Sequence, residues 1–317
     1  MSDFNLKAHQ QYLAKFLKRS SQHYDCMRLT TLYFAVSGLD LLGVIEEVVP
    51  DPRTFITWIY SLQAPTGGFR VGPCLSGVGK YDYATLASTY SALCLLKILR
   101  DDLSRVDIAS MTSFLRSCQK SDGNFLSHPG SVEADVRFLY CACAISSYLK
   151  DWSGVDQDKA TNFILNSETY DGAFGLEPQF EGHGKKYTGG STFCSLSSLS
   201  LMGNLSLLPE KEQVVEWLLN RQCGGVQGRV NKIPDTCYGF WIGGSLALLD
   251  SIDFLNAEDS NEFYKDCEFE KGGFRKNPLL FPDIVHTYYS LAYLSLTGHP
   301  ELQPLEPRLG ISASKAN

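Results

Sequence analysis

At 317 residues, 44% of them hydrophobic and 20% charged, the chain has the make-up of an ordinary folded protein with a sizeable core. A net charge of -7 excludes a general nucleic-acid binder, which would need a basic face. No run of about 18 apolar residues occurs and the opening MSDFNLKAHQ is polar, so neither a membrane span nor a signal peptide is expected.

The first 50 residues read as helical, with a basic amphipathic stretch from about Leu6 to Arg19 and then a helix from Cys26 to Leu42, ending near Gly43. Beyond them a tight Gly-rich loop recurs roughly every 50 residues, a period typical of repeat architectures. It stands as Gly67-Gly68-Phe69, Asp122-Gly123-Asn124-Phe125, Asp171-Gly172-Ala173-Phe174, Gly224-Gly225-Val226 and Gly272-Gly273-Phe274. Before each loop comes an amphipathic helix, such as Ile108 to Gln119 or Lys211 to Gln222. After it comes a more apolar one: Tyr83 to Leu99, Asp135 to Leu149, Thr192 to Met202, Asp235 to Leu249 and Asp283 to Leu296. A helix apolar nearly all round needs burial on both sides, and a half-polar one belongs outside. Two concentric rings of helices meet both demands. The expected fold is therefore all-α, an α/α toroid of about six helical-hairpin repeats. We expect one domain over residues 1–317, with an N-terminal helix in 1–20 and a C-terminal tail in 300–317.

The 10 cysteines include no close CxxC pair, and most sit in apolar helices, as reduced buried thiols of a cytoplasmic protein would. Cys237 differs because of its neighbours. Asp235, after Pro234, opens a helix, and at a helix entrance both Asp235 and Cys237 can turn toward one point. If the inner helices run parallel, their first turns converge on one rim, and residues a repeat apart become neighbours. His286, one turn into the next inner helix, can then join the pair. Three protein ligands leave a fourth tetrahedral position open, the mark of a catalytic zinc. Asp235 as a helix cap and His286 as a hydrogen-bonded core histidine fit the same positions. His183, Arg229, Lys232 and Tyr238 fall on the same rim and could cradle a diphosphate, although Arg229 and Lys232 also read as a solvated loop. Below the rim, Trp241, Phe240, Tyr90, Phe138 and Phe193 would line an apolar well. An anion clamp above a greasy well suits a lipid diphosphate.

RLTTLYFAVSGLDLL, RDDLSRV, DVRFLYCAC, DWSGVD, EGHG, GGSTFC, QGRVNKIPDTCYGFW and PDIVHTYYSLAYLSLTG, spread from Arg28 to about Gly298, resemble the β subunits of protein prenyltransferases, most closely those of type I geranylgeranyltransferases. The resemblance implies that Asp235, Cys237 and His286 bind one zinc ion and that His183, Arg229, Lys232 and Tyr238 hold the isoprenoid diphosphate. Trp241 would line the lipid tunnel, and Glu133 and Arg137 would lie near the C-terminal end of a bound peptide. Thr30 and Phe34 fall where the family sets the tunnel floor, and a small residue at Thr30 in place of the farnesyl enzyme's Trp leaves room for another isoprene unit. Lys276 stands where the farnesyl enzyme has a magnesium-binding Asp, so no Mg²⁺ requirement is expected. Two departures stand out: Lys185 and Lys186 belong to an inserted loop, and Thr85 replaces a family His near the peptide carboxylate.

The implied reaction moves a C20 geranylgeranyl group from its diphosphate to the Cys thiol of a C-terminal CaaX sequence, as on Rho-type small GTPases. Arg229, Lys232, His183, Tyr238 and Lys276 would absorb the charge on the leaving diphosphate, and Cys237 is catalytic through the metal. An α subunit is the implied obligate partner. The residues ISASKAN contain no CaaX box, so the chain is expected to modify other proteins. The competing readings are a Rab-type geranylgeranyltransferase β subunit, favoured less by the DDLSRV and WSGVD stretches, and a non-catalytic toroid used as a binding scaffold. A class II terpenoid cyclase would need a DxDD motif, which is missing. A barrel glycosidase would need two opposed carboxylates and has no use for Cys237.

Overall fold

A computed structural model describes residues 4–18, 22–178 and 188–316. In chain order the helices are α1 (Leu6–Leu17), α2 (Arg28–Leu41), α3 (Ile45–Val48), α4 (Arg53–Ser61), α5 (Leu86–Ile98), α6 (Ile108–Cys118) and α7 (Val136–Leu149), then α8 (Gln157–Leu165), α9 (Gly189–Met202), α10 (Lys211–Leu219), α11 (Thr236–Leu248), α12 (Ala257–Cys267) and α13 (Ile284–Leu296). Two short hairpins and a few 3-10 turns accompany them; the hairpins are β1 (Phe274–Arg275) with β2 (Pro282–Asp283) and β3 (Leu305–Glu306) with β4 (Ile311–Ser312), both antiparallel.

Burial sorts these helices as their composition dictates. In α9 every residue from Ser191 to Leu199 is buried, whereas α8 buries only Ala160, Thr161, Phe163 and Ile164. The inner helices α2, α5, α7, α9, α11 and α13 pack in that order, and α13 returns to α2, closing a ring. Outer helices alternate with them along the chain, so the architecture is the expected α/α toroid.

Each inner helix opens on a side chain that accepts from its orphan backbone N–H groups, except α2. Asp135, Asp235 and Asp283 cap α7, α11 and α13, while Thr85 and Thr188 form capping boxes with Ser88 and Ser191. Those boxes correct two expected boundaries. The fifth helix starts at Leu86, later than Tyr83, and the ninth at Gly189, earlier than Thr192.

The Gly-rich loops join neighbouring repeats. Gly123 has φ +94°, and a Cβ there would overlap the Lys159 carbonyl of α8. The last loop does the same to the first helix, because a Cβ at Gly272 would overlap the Ala8 carbonyl of α1. His9, fully buried on α1, accepts at Nδ1 from Gly273 N (3.0 Å), pairs through Nε2 with Glu268 (2.9 Å) and stacks on Phe274. This contact is the seam that closes the outer ring.

Residues five beyond the N-caps of α5, α7, α9, α11 and α13 are Tyr90, Tyr140, Phe193, Phe240 and Tyr288. With Tyr33 of α2 they form a closed aromatic collar, with successive ring centroids 4.9–6.5 Å apart. Residues at equal depth meet on all six helices only if these run parallel with their N-termini at one end. At 1.5 Å per residue the collar lies about 7.5 Å below that rim. The segment read as a C-terminal tail passes beneath it as a strap bounded by β3 and β4, whose backbone is tied to inner-helix side chains. Tyr140 and Ser197 donate to Arg308 O (both 3.0 Å), Tyr90 to Leu309 O (2.8 Å), and Tyr288 to Gly310 O.

Candidate active site

The first turns of α11 and α13 bring three ligating side chains together. Asp235, in extended backbone after Pro234, points Oδ1 back to accept from Cys237 N at 3.0 Å. On the neighbouring helix Asp283 Oδ1 accepts from Val285 N and His286 N, both at 2.9 Å, while its Oδ2 lies 2.6 Å from His286 Nδ1. That contact orients the imidazole so that Nε2 reaches 3.3 Å from Asp235 Oδ1. The ligand atoms of Asp235, Cys237 and His286 all lie within 4.8 Å of one another, the one such group among the described residues. Tetrahedral zinc with bonds of about 2.0–2.3 Å places its ligands about 3.3–3.8 Å apart, so a small contraction completes the set.

The electrostatics also fit a cation. Burial first, then the Asp235 carboxylate, push the Cys237 thiol far above its ordinary pKa. A lone thiolate is therefore disfavoured here, and a divalent ion at the shared point would reverse that balance. Burial lowers the pKa of His286, but its bonds to Asp235 and Asp283 outweigh burial and raise it to about 9. Lys276 Nζ stands 3.4 Å from Asp235 Oδ2, on the far side of the carboxylate. Its position follows from backbone hydrogen bonds: Thr236 N donates to Lys276 O (3.0 Å) and Thr236 Oγ1 to Arg275 O (2.9 Å), which docks the β1–β2 hairpin on α11.

The same rim carries other expected anion ligands. Arg229 is half-buried and Lys232 exposed on the loop before Pro234, where Lys232 N donates to Gln227 Oε1 at 3.2 Å. The Tyr238 ring lies against Gly228, where any Cβ would overlap it. Burial, then Cys237 and Asp235, raise the Tyr238 pKa, while a bond to Thr188 and the Arg229 charge oppose them. His183, Lys185 and Lys186 lie outside the described residues. Thr85 is fully engaged as the cap of α5. Arg137 sits on the rim rather than in the well, its guanidinium held by Asp135 (2.6 and 2.9 Å) and Glu133 (2.9 Å).

Below the triad lies a cavity of about 170 Å³ lined by Thr30, Phe34, Trp241, Tyr289 and the collar residues, with Gly310 at its base. Six of the residues expected in the well or at its floor line it: Tyr90, Phe193, Phe240, Trp241, Thr30 and Phe34. Phe138 does not. At three residues past the cap of α7 it faces away from the centre and lies under the Arg137 guanidinium, 5.4 Å off. Tyr140, Tyr288 and Tyr289 were missed, although an aromatic five residues after each predicted cap would have found the first two. Asp283 was read only as a helix start. The i,i+3 spacing to His286 on a helix is the signal that it also orients the ring.

The family described as prenyltransferase alpha-alpha toroid domain matches residues 4–311. The geranylgeranyl transferase type-1 subunit beta of Arabidopsis thaliana is 36% identical over 342 residues, covering 98% of this chain and 89% of the relative. Its namesake from Dictyostelium discoideum is also 36% identical, covering 97% and 96%. Among solved structures, Candida albicans protein geranylgeranyltransferase-I complexed with GGPP is 26% identical with a TM-score of 0.89, covering 99% of this chain and 97% of that one.

Proposed function

This chain belongs to the prenyltransferase alpha-alpha toroid family, and we infer that it is the β subunit of a protein geranylgeranyltransferase type I. The observation that carries this reading is the Asp235–Cys237–His286 cluster at the mouth of an aromatic-lined cavity, with Arg229, Tyr238 and Lys276 on the same rim. The type-1 names of both relatives favour it over the Rab-type alternative, and the C20 diphosphate named with the Candida structure supports the lipid. A non-catalytic scaffold would have no use for an oxygen, sulfur and nitrogen donor set above an open well.

The enzyme transfers a geranylgeranyl group from geranylgeranyl diphosphate to the thiol of a C-terminal CaaX cysteine, in complex with an α subunit. Small GTPases of the Rho type are the proposed class of protein substrate. Asp235, Cys237 and His286 would hold one zinc ion, with Asp283 fixing the imidazole. When bound, zinc supplies a Lewis acid that lowers the pKa of a substrate thiol at its open position. The sulfur attacks C1 of the lipid, the C–S bond forms as the C1–O bond breaks, and the electron pair leaves with the diphosphate. The thiol proton passes to solvent. Arg229, Lys232, Tyr238 and Lys276, together with His183, balance the charge that grows on the leaving group, where fixed donors have most effect. Because Lys276 already brings a positive charge to that side, magnesium is not required. The cavity below binds the isoprenoid by burying it; the small Thr30, at the position of the family's tunnel floor, leaves room for a further isoprene unit.

Zinc analysis and a lipid-choice assay on the chain co-expressed with its α subunit test the reading together. About one zinc per heterodimer and preferred transfer of the C20 group are expected. A metal-free, inactive heterodimer would remove the assignment.

A further inference from the structure

Among the described residues, Gly310 is the one lining the cavity that does not come from an inner helix. It belongs to an irregular strap, and irregular backbone crossing an apolar centre must find partners for its carbonyls or leave them unsatisfied away from water. Here three successive carbonyls, of Arg308, Leu309 and Gly310, accept from hydroxyls of Tyr140, Ser197, Tyr90 and Tyr288 on four different inner helices. Tyr33 joins the network through Tyr90 and Tyr288, both at 3.1 Å. The strap is also held at its ends. Leu305 pairs with Ser312 and Glu306 with Ile311, and the Arg308 guanidinium grips Glu306 at 2.8 and 3.0 Å. Beyond it, Lys315 Nζ reaches Glu46 at 3.6 Å. The base of the well is therefore a fixed peptide surface, hung from the collar and pinned to the wall.

Gly310 leaves that surface bare. Its φ of +66° lies in the left-handed region, and a Cβ there would stand 2.9 Å from Tyr288 Oη and 3.2 Å from Tyr33 Oη and Tyr90 Oη. A side chain at this position either rises into the cavity or pushes apart the hydroxyls that carry the strap. We propose that the Arg308–Gly310 strap is the stop against which the far end of the isoprenoid is measured, with Gly310 as a chain-length specificity residue. The inference rests on the transferase reading and adds a second gauge to it. Thr30 and Phe34 line the well from α2, and the strap adds the one peptide surface beneath the collar.

The test uses the co-expressed heterodimer, a CaaX peptide, and farnesyl (C15), geranylgeranyl (C20) and geranylfarnesyl (C25) diphosphates in competition. Gly310→Ala raises the base of the well, so the C15-to-C20 ratio of kcat/KM is expected to rise about tenfold or more, the scale on which apolar pockets sort chain length. The pair Tyr90→Phe and Tyr288→Phe keeps the rings and removes the hydroxyl donor of Leu309 O and the nearer donor of Gly310 O, leaving the latter only Tyr33 at 3.5 Å. It is expected to loosen the stop and admit the C25 lipid, and it decides the matter if Gly310→Ala does not fold. Wild-type lipid ratios in folded variants of an active enzyme would overturn the strap alone. A wild-type heterodimer that transfers no isoprenoid would remove the transferase reading, and the inference with it.

Discussion

Asp283 shows how much one side chain can be asked to do. Its Oδ1 caps α13 and its Oδ2 holds His286 Nδ1 at 2.6 Å, so the same carboxylate starts the helix and aims its ligand. Asn caps a helix as well as Asp does, but it lacks the charge that makes the imidazole a better donor. Asp283→Asn should therefore leave unfolding stability nearly unchanged while weakening zinc affinity about 10- to 100-fold, read by competition with a chromogenic chelator. Cys237→Ala removes a ligand outright. Loss of bound zinc is expected with retained binding of the lipid diphosphate, and an undiminished zinc content would disprove the ligand assignment. Lys276 offers a third test. Its ammonium lies beside Asp235 at 3.4 Å, so Lys276→Asp replaces a resident cation with a second carboxylate. Transfer by that variant should become dependent on added Mg²⁺, and activity indifferent to magnesium would count against the role given to the lysine.

At the level of elements, what could be read from the residues depended on period. Helix caps recur at one place in each repeat, so Asp235, Cys237 and His286 could be assigned to one rim without knowing any distance. The collar followed the same register, yet Phe138 was mistaken for a lining residue because three residues past the cap and five past it face different ways on a 3.6-residue helix. The strap was not legible at all. Its partners are hydroxyls distant in sequence, such as Tyr288, 22 residues from Gly310, and Tyr90, 219 residues from Leu309, and nothing in the residues 305–312 themselves announces them. The Gly-rich loops, by contrast, were visible from sequence, and the structure supplies their reason. Gly123 at φ +94° lies against the Lys159 carbonyl, joining one hairpin to the next. Gly123→Ala combines backbone strain with that overlap and should lower stability by about 2–4 kcal/mol, measured by chemical denaturation. A wild-type midpoint would mean that the repeats are held together by helix packing alone.

In the whole molecule the closing seam and the metal cluster share one hairpin. His9 on the first helix accepts from Gly273 N, the next residue enters β1, and β1 pairs with the strand that ends at Asp283. From there the connection runs directly to His286. Lys276, at the other end of the site, sits on the same hairpin and is bonded through its backbone to Thr236. Removing the imidazole in His9→Ala leaves the Gly273 N–H without its acceptor and Glu268 with only the Asn5 N–H, at a cost of about 1–3 kcal/mol. A toroid whose ends are joined by packing, rather than by a covalent bond, should feel that cost at the junction first. His9→Ala is expected to speed amide exchange in the β1–β2 hairpin and to weaken zinc binding, although residue 9 touches neither the metal nor a ligand. Gly123→Ala provides the control, since it strains a distant joint without disturbing this hairpin and should leave zinc affinity intact. If the two variants, matched for stability, lose zinc equally or not at all, then the cluster does not depend on how the ring is closed.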